Sequence, residues 1–101
     1  MKNGYRILWT DFALTELERT IKYIEENWTE KELRNLASKL EEILSLLSQN
    51  PNLFQVSNIK KDIRRVVVLN RDTLYYRITK DHVEIISFFS NRQNPLKRKL
   101  E

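Results

Sequence analysis

The 101-residue sequence has no cysteine, one histidine (His82), one glycine (Gly4) and two prolines. Without cysteine there are no disulfides and no thiolate metal sites, and a reducing cytoplasm is the expected compartment. A single glycine excludes a Gly-rich phosphate loop. With one histidine and no thiol, only carboxylates remain as metal ligands. The helical Asp and Glu residues are scattered over solvent faces, so neither a metal nor any other cofactor is expected. No segment approaches the roughly 20 apolar residues needed to cross a bilayer. The stretch Met1 to Trp9 also lacks the apolar run of a signal peptide, so a soluble chain without membrane association is expected. His82 falls beside Asp81 in a polar link, where a lone histidine suits a solvated turn better than a Ser-His-Asp triad.

What is present suffices for one core: 41% of the residues are hydrophobic and 10% aromatic. The sequence divides into a single domain over residues 5–96 and a basic tail over residues 97–101. The net charge of +4 is unevenly placed. Up to Val56 there are 7 Lys and Arg against 9 Asp and Glu; from Ser57 onward there are 11 against 5. A basic second half suits an acidic partner or a polyanion, and equally a plain solvated surface.

Alternation of Tyr5, Ile7 and Trp9 with Arg6 and Leu8 predicts a short strand. Thr10 or Asp11 then caps a helix whose apolar stripe is Leu14, Leu17, Ile21, Ile24 and Trp28. Thr29 and Glu32 form the pattern of a capping box, with Trp28 and Leu33 as its hydrophobic staple. A second helix follows, its wide apolar face made of Leu33, Leu36, Ala37, Leu40, Ile43, Leu44 and Leu47, and Asn50-Pro51 stops it. The β-prone runs Ile63 to Leu69, Leu74 to Ile78 and Val83 to Phe89 are joined by the polar links Asn70 to Thr73 and Thr79 to His82. Short links force antiparallel neighbours, so these runs predict a three-stranded meander. The fold class is α+β in two layers: strand, helical hairpin, meander. The first strand is expected in the same sheet at a position the sequence does not give.

If the helices cover one side of the sheet, the other collects arginines and tyrosines. Arg64, Arg65, Tyr76, Arg77 and Arg92 are the candidate open-face contacts, with Tyr75 as an alternative to Tyr76. Alternation allows only one of Arg64 and Arg65 on that face. A guanidinium grips phosphate or carboxylate as a fork, and a tyrosine can stack on a base. The competing reading is an ordinary half-solvated sheet fringed by Arg–Tyr pairs. Phe88-Phe89 is ambiguous in the same way, since one ring faces the helices and the other the open side; Phe88 is carried as a candidate contact.

The run Trp9-Thr10-Asp11-Phe12-Ala13-Leu14-Thr15-Glu16-Leu17-Glu18, with Ile21 and Tyr23-Ile24, resembles the first helix of the RelE/ParE toxin superfamily. Asn50-Pro51 with Phe54 sits where that family leaves its helix hairpin, and Ile63 to Val68, Leu74 to Ile78 and Val83 to Ile86 are similar to its last three strands. Phe89-Ser90-Asn91-Arg92-Gln93-Asn94-Pro95 resembles its closing signature. The resemblance spans roughly Tyr5 to Leu96. It implies one half of a type II toxin–antitoxin pair, in a hetero-oligomer with a cognate antitoxin that is acidic where it touches the toxin. ParE-type members bind DNA gyrase, whereas RelE-type members cleave messenger RNA on the ribosome. The nuclease pattern carries an arginine three residues before the tyrosine matched by Tyr76, where this chain has Thr73. Ser90 and Asn91 stand where many nucleases have a histidine or tyrosine. The resemblance therefore implies a ParE-like, non-enzymatic gyrase inhibitor. The alternatives are a RelE-like nuclease using Arg64 or Arg65 with Arg92 and Lys60 or Lys61, or a degenerate toxin that only binds antitoxin.

Overall fold

The computed structural model describes residues 4–58 and 60–92, so the expected tail over residues 97–101 lies outside the described residues. The elements are β1 (Arg6–Trp9), α1 (Asp11–Asn27), α2 (Glu30–Gln49), a short 3₁₀ turn (Pro51–Leu53), β2 (Arg64–Leu69), β3 (Asp72–Ile78) and β4 (His82–Ser90). The strands form one sheet in the order β1-β4-β3-β2. β2, β3 and β4 are the antiparallel meander, and β1 lies parallel to β4, with Arg6 opposite His82 and Trp9 opposite Ile85.

Local chemistry sets the helix boundaries. The Thr10 hydroxyl accepts the Ala13 amide at 3.1 Å and also donates to the Ile85 carbonyl at 3.0 Å, so one cap ties α1 to β4. The Thr29 hydroxyl accepts the Glu32 amide at 3.1 Å, which is half of the expected capping box. The other half differs, because the Glu32 carboxylate turns away to an arginine described below. At the far end of α2 the Ser48 carbonyl accepts the Tyr5 amide at 2.7 Å. A Cβ on Gly4 would collide with that Ser48 carbonyl, so this approach requires glycine.

The core lies between helices and sheet: Ala13 and Ile24 from α1, Leu36, Ile43 and Leu47 from α2, and Val66, Val68, Leu74, Tyr76, Val83, Ile85 and Phe88 from the strands. The inward line of α1 thus runs through Ala13, Thr20 and Ile24. Leu14 is exposed, while Leu17 and Ile21 turn toward α2 and line a groove with Leu33, Leu36, Ala37, Leu40 and Leu44. The helical period holds, but its phase is rotated, so the small Ala13 and Thr20 line the inward face beside Ile24.

Two irregularities bend the sheet. β2 and β3 slip register between Val67 and Leu69, and β3 and β4 slip between Tyr75 and Tyr76. The second slip changes which β4 residues face the core: Val83 and Ile85 before it, Phe88 after it. Glu16 of α1 secures this bend, its Oε1 accepting the Ser87 hydroxyl at 2.7 Å and the Phe88 amide at 2.8 Å. No helix among the described residues is long and apolar enough to cross a membrane.

Candidate interaction surface

The sheet face away from the helices is built by cross-strand rows. Arg65 lies opposite Tyr75; Ser87, opposite Tyr75 on its other side, is not part of this face, since its hydroxyl turns to Glu16 of α1. Val67 lies opposite Thr73, and Thr73 opposite Phe89. Arg77 lies opposite Glu84, which on its other side faces Leu8 of β1. Val67 and Phe89, on either side of Thr73 of β3, are about half exposed, at 50% and 48%, and form an apolar patch on this face. Arg65 makes no side-chain hydrogen bond or ion pair among the described residues; its backbone amide is bonded to the Gln55 carbonyl. Arg77 is held loosely, its Nη1 3.5 Å from Asp62 and its Nε 3.5 Å from Glu84, and that Nε is inaccessible without a well-aligned acceptor.

Four of the expected open-face residues sit elsewhere. Tyr76 is fully buried, because the register that puts Tyr75 outward turns its neighbour inward. The Tyr76 hydroxyl donates to the Pro51 carbonyl at 2.7 Å. Burial pushes its pKa up from 10.0 to about 12, with the Arg64 guanidinium pulling the other way. Arg64, its cross-strand neighbour, donates from Nη1 to the Phe54 carbonyl at 2.7 Å and from Nη2 to the Asn52 side chain at 3.3 Å. Together they fasten the chain leaving α2 to the sheet. Phe88 is the ring that faces the core, so Phe89, not Phe88, is the exposed member of the pair.

Arg92 departs furthest from the expectation. It is 4% exposed. Its Nη2 lies 2.7 Å and its Nε 3.1 Å from the Asp72 carboxylate, its Nη1 lies 2.8 Å from Glu32, and the guanidinium stacks over Trp28 at 4.9 Å. Burial alone would lower the Arg92 pKa, but the hydrogen bonds and charges of Asp72 and Glu32 outweigh it and raise it above the ordinary value. Asp72, expected in a polar turn, is instead the first residue of β3 and 0% exposed. Neither it nor Trp28 was singled out from sequence as an arginine partner; an arginine directly after the last apolar strand was the one available signal.

The other acid–base candidates are also placed. The His82 Nδ1 lies 2.8 Å from the Thr79 hydroxyl and 3.2 Å from Asp81, inside the β3–β4 turn. The His82 hydrogen bond holds the Asp81 carboxyl below its usual pKa. Lys60 and Lys61 are exposed just before β2. Among the described residues no three His, Cys, Asp or Glu side chains converge as a metal site.

Residues 7–95 match the family described as the ParE toxin of the type II toxin–antitoxin system, parDE. The chain belongs to the ParE toxin family. Its fold is similar to that of a protein of a chromosomal ParDE toxin–antitoxin system from P. aeruginosa, at a TM-score of 0.68 and 15% identity over 86% of this chain and 96% of the other. It is also similar to YoeB from Staphylococcus aureus, solved as a dimer, at 0.59 and 19% over 87% and 98%. The isolated RelE toxin of E. coli aligns at 0.54 and 18% over 96% and 95%. At such identities these likenesses establish the RelE/ParE α+β fold alone. No curated protein matches the chain in sequence.

Proposed function

We propose that this ParE-family toxin acts by binding DNA gyrase and stalling replication, and that a cognate antitoxin silences it. The observation that carries the reading is a division among the polar residues. Arg92, Arg64 and Tyr76, which a ribonuclease of this fold would direct at a phosphate and a proton, are spent on Asp72, Glu32 and backbone carbonyls. A tyrosine with a pKa near 12 keeps its proton at neutral pH and makes a poor general base. Arg65, Tyr75, Val67 and Phe89 share the open face, and Arg77 is only loosely held there. Aromatic, apolar and arginine side chains in one patch are the composition of a protein-binding centre. A partner protein is therefore a better match for this face than a transition state.

The test is supercoiling by purified gyrase with increasing toxin. The wild-type protein is expected to inhibit, and Arg65→Ala with Phe89→Ala to weaken inhibition at least tenfold, the scale of a hot-spot loss. Intact supercoiling at saturating toxin, together with cleavage of messenger RNA on ribosomes, would replace this reading with the nuclease one.

A further inference from the structure

The Arg77 guanidinium lies on the open face between two carboxylates and is bound well by neither. Its Nη1 is 3.5 Å from Asp62 and its Nε 3.5 Å from Glu84, both at the outer limit of a hydrogen bond. Nε is shielded from solvent and still lacks an aligned acceptor. Arg92 in the same chain meets the Asp72 carboxylate as a fork at 2.7 and 3.1 Å, the geometry reached where a pair is built into the frame. Long, part-exposed ion pairs such as those of Arg77 contribute little, so exchanging one for another costs little free energy.

The two carboxylates differ in what holds them. Glu84 belongs to β4, directly opposite Arg77, and the strands fix its position. Asp62 lies in the turn before β2, and its side chain is 59% exposed against 36% for Glu84. Asp62 is therefore the one that can leave without disturbing the sheet. Its departure would free Nη1 and leave Arg65 and Arg77 facing Glu84 alone in these rows, one positive charge in excess. A single carboxylate from outside restores the balance. Around that point lie Tyr75, two residues from Arg77 along β3, and the exposed Val67 and Phe89. A protein surface carrying one acidic residue among apolar ones is complementary to this layout.

We propose that an acidic residue of gyrase takes the place of Asp62 on Arg77, so that Asp62 is an internal competitor for the gyrase face and Arg77 determines its specificity. This rests on the gyrase reading above and deepens it. In the free toxin Asp62 neutralises the guanidinium. In the complex the incoming carboxylate accepts from Nη1 and Nη2 as a fork, beneath a covered face where a charge-assisted bond is stronger than at an open surface. Nε stays with Glu84. A phosphodiester of gyrase-bound DNA would meet the same fork, but apolar neighbours suit a protein contact better than a polyanion track.

The experiment titrates DNA-free gyrase with the labelled full chain and reads the dissociation constant, with supercoiling inhibition alongside. Asp62→Asn is expected to bind about threefold more tightly, the scale of one exposed ion pair relieved. Arg77→Gln is expected to bind about tenfold more weakly, the scale of a hot-spot loss. Asp62→Asn should add nothing in the Arg77→Gln background, because both act on one guanidinium. Unchanged melting temperatures of the free variants separate recognition from folding; should Arg77→Gln melt early, Asp62→Asn alone decides. Equal or weaker binding by Asp62→Asn, or a gain that persists without Arg77, overturns the inference and leaves the proposed function standing. A gain seen only when DNA is present overturns it in favour of a phosphodiester contact. If the wild-type toxin neither binds gyrase nor inhibits supercoiling, the gyrase reading fails and this inference falls with it.

Discussion

The Asp72 carboxylate is wholly buried, and among the described residues Arg92 is its paired countercharge. Removing one partner of a buried ion pair strands the other, at a cost of about 3–5 kcal/mol. Arg92→Ala should therefore lower unfolding free energy in urea by that amount, and Arg92→Lys should recover only part, because an ammonium cannot form the fork. A comparable stability of Arg92→Ala and wild type would show that the cluster is ornamental. Tyr76 makes a second residue-scale case. Its folded pKa near 12 exceeds the ordinary 10.0, so its protonated form favours the folded state. That contribution is complete below about pH 10 and is lost as pH rises through about 12. Tyr76→Phe should remove this alkaline dependence and cost about 1 kcal/mol at neutral pH, the worth of one hydrogen bond. The sequence supplied the identity of both residues but not their direction. Whether Tyr75 or Tyr76 faces outward depends on strand register, and the partner of Arg92 lies 20 positions away in sequence.

At the scale of elements, the caps and strands were legible because their signals are local. Thr10 and Thr29 cap their helices as their spacing indicates, and the β-branched runs become β2, β3 and β4 within a residue or two of their expected bounds. Features created by contact between elements were hidden. The second half of the capping box was lost because Arg92 competes for Glu32, an interaction no window around Thr29 contains. The bend in β4 was equally invisible, since it depends on Glu16 reaching a strand 71 residues later. Glu16→Ala should leave the Phe88 amide without its acceptor and cost about 1–3 kcal/mol. Faster exchange at that amide, with α1 otherwise protected, is the expected signature; unchanged exchange would mean the bulge holds itself.

For the whole molecule, one layer of helices on one four-stranded sheet leaves the other sheet face for partners. The basic excess of the second half of the sequence is divided accordingly. Arg64 and Arg92 are consumed in holding the frame, while Arg65 and Arg71 form no ion pair among the described residues. The sequence could show that the excess exists, but only the fold separates the arginines that stabilise from those that are free to bind. The central claim, that this ParE-family toxin stops replication, is tested most directly by inducing it without antitoxin and following thymidine and methionine incorporation in parallel. The account predicts that thymidine incorporation falls first while methionine incorporation continues. An earlier collapse of methionine incorporation would contradict it and point to the ribosome.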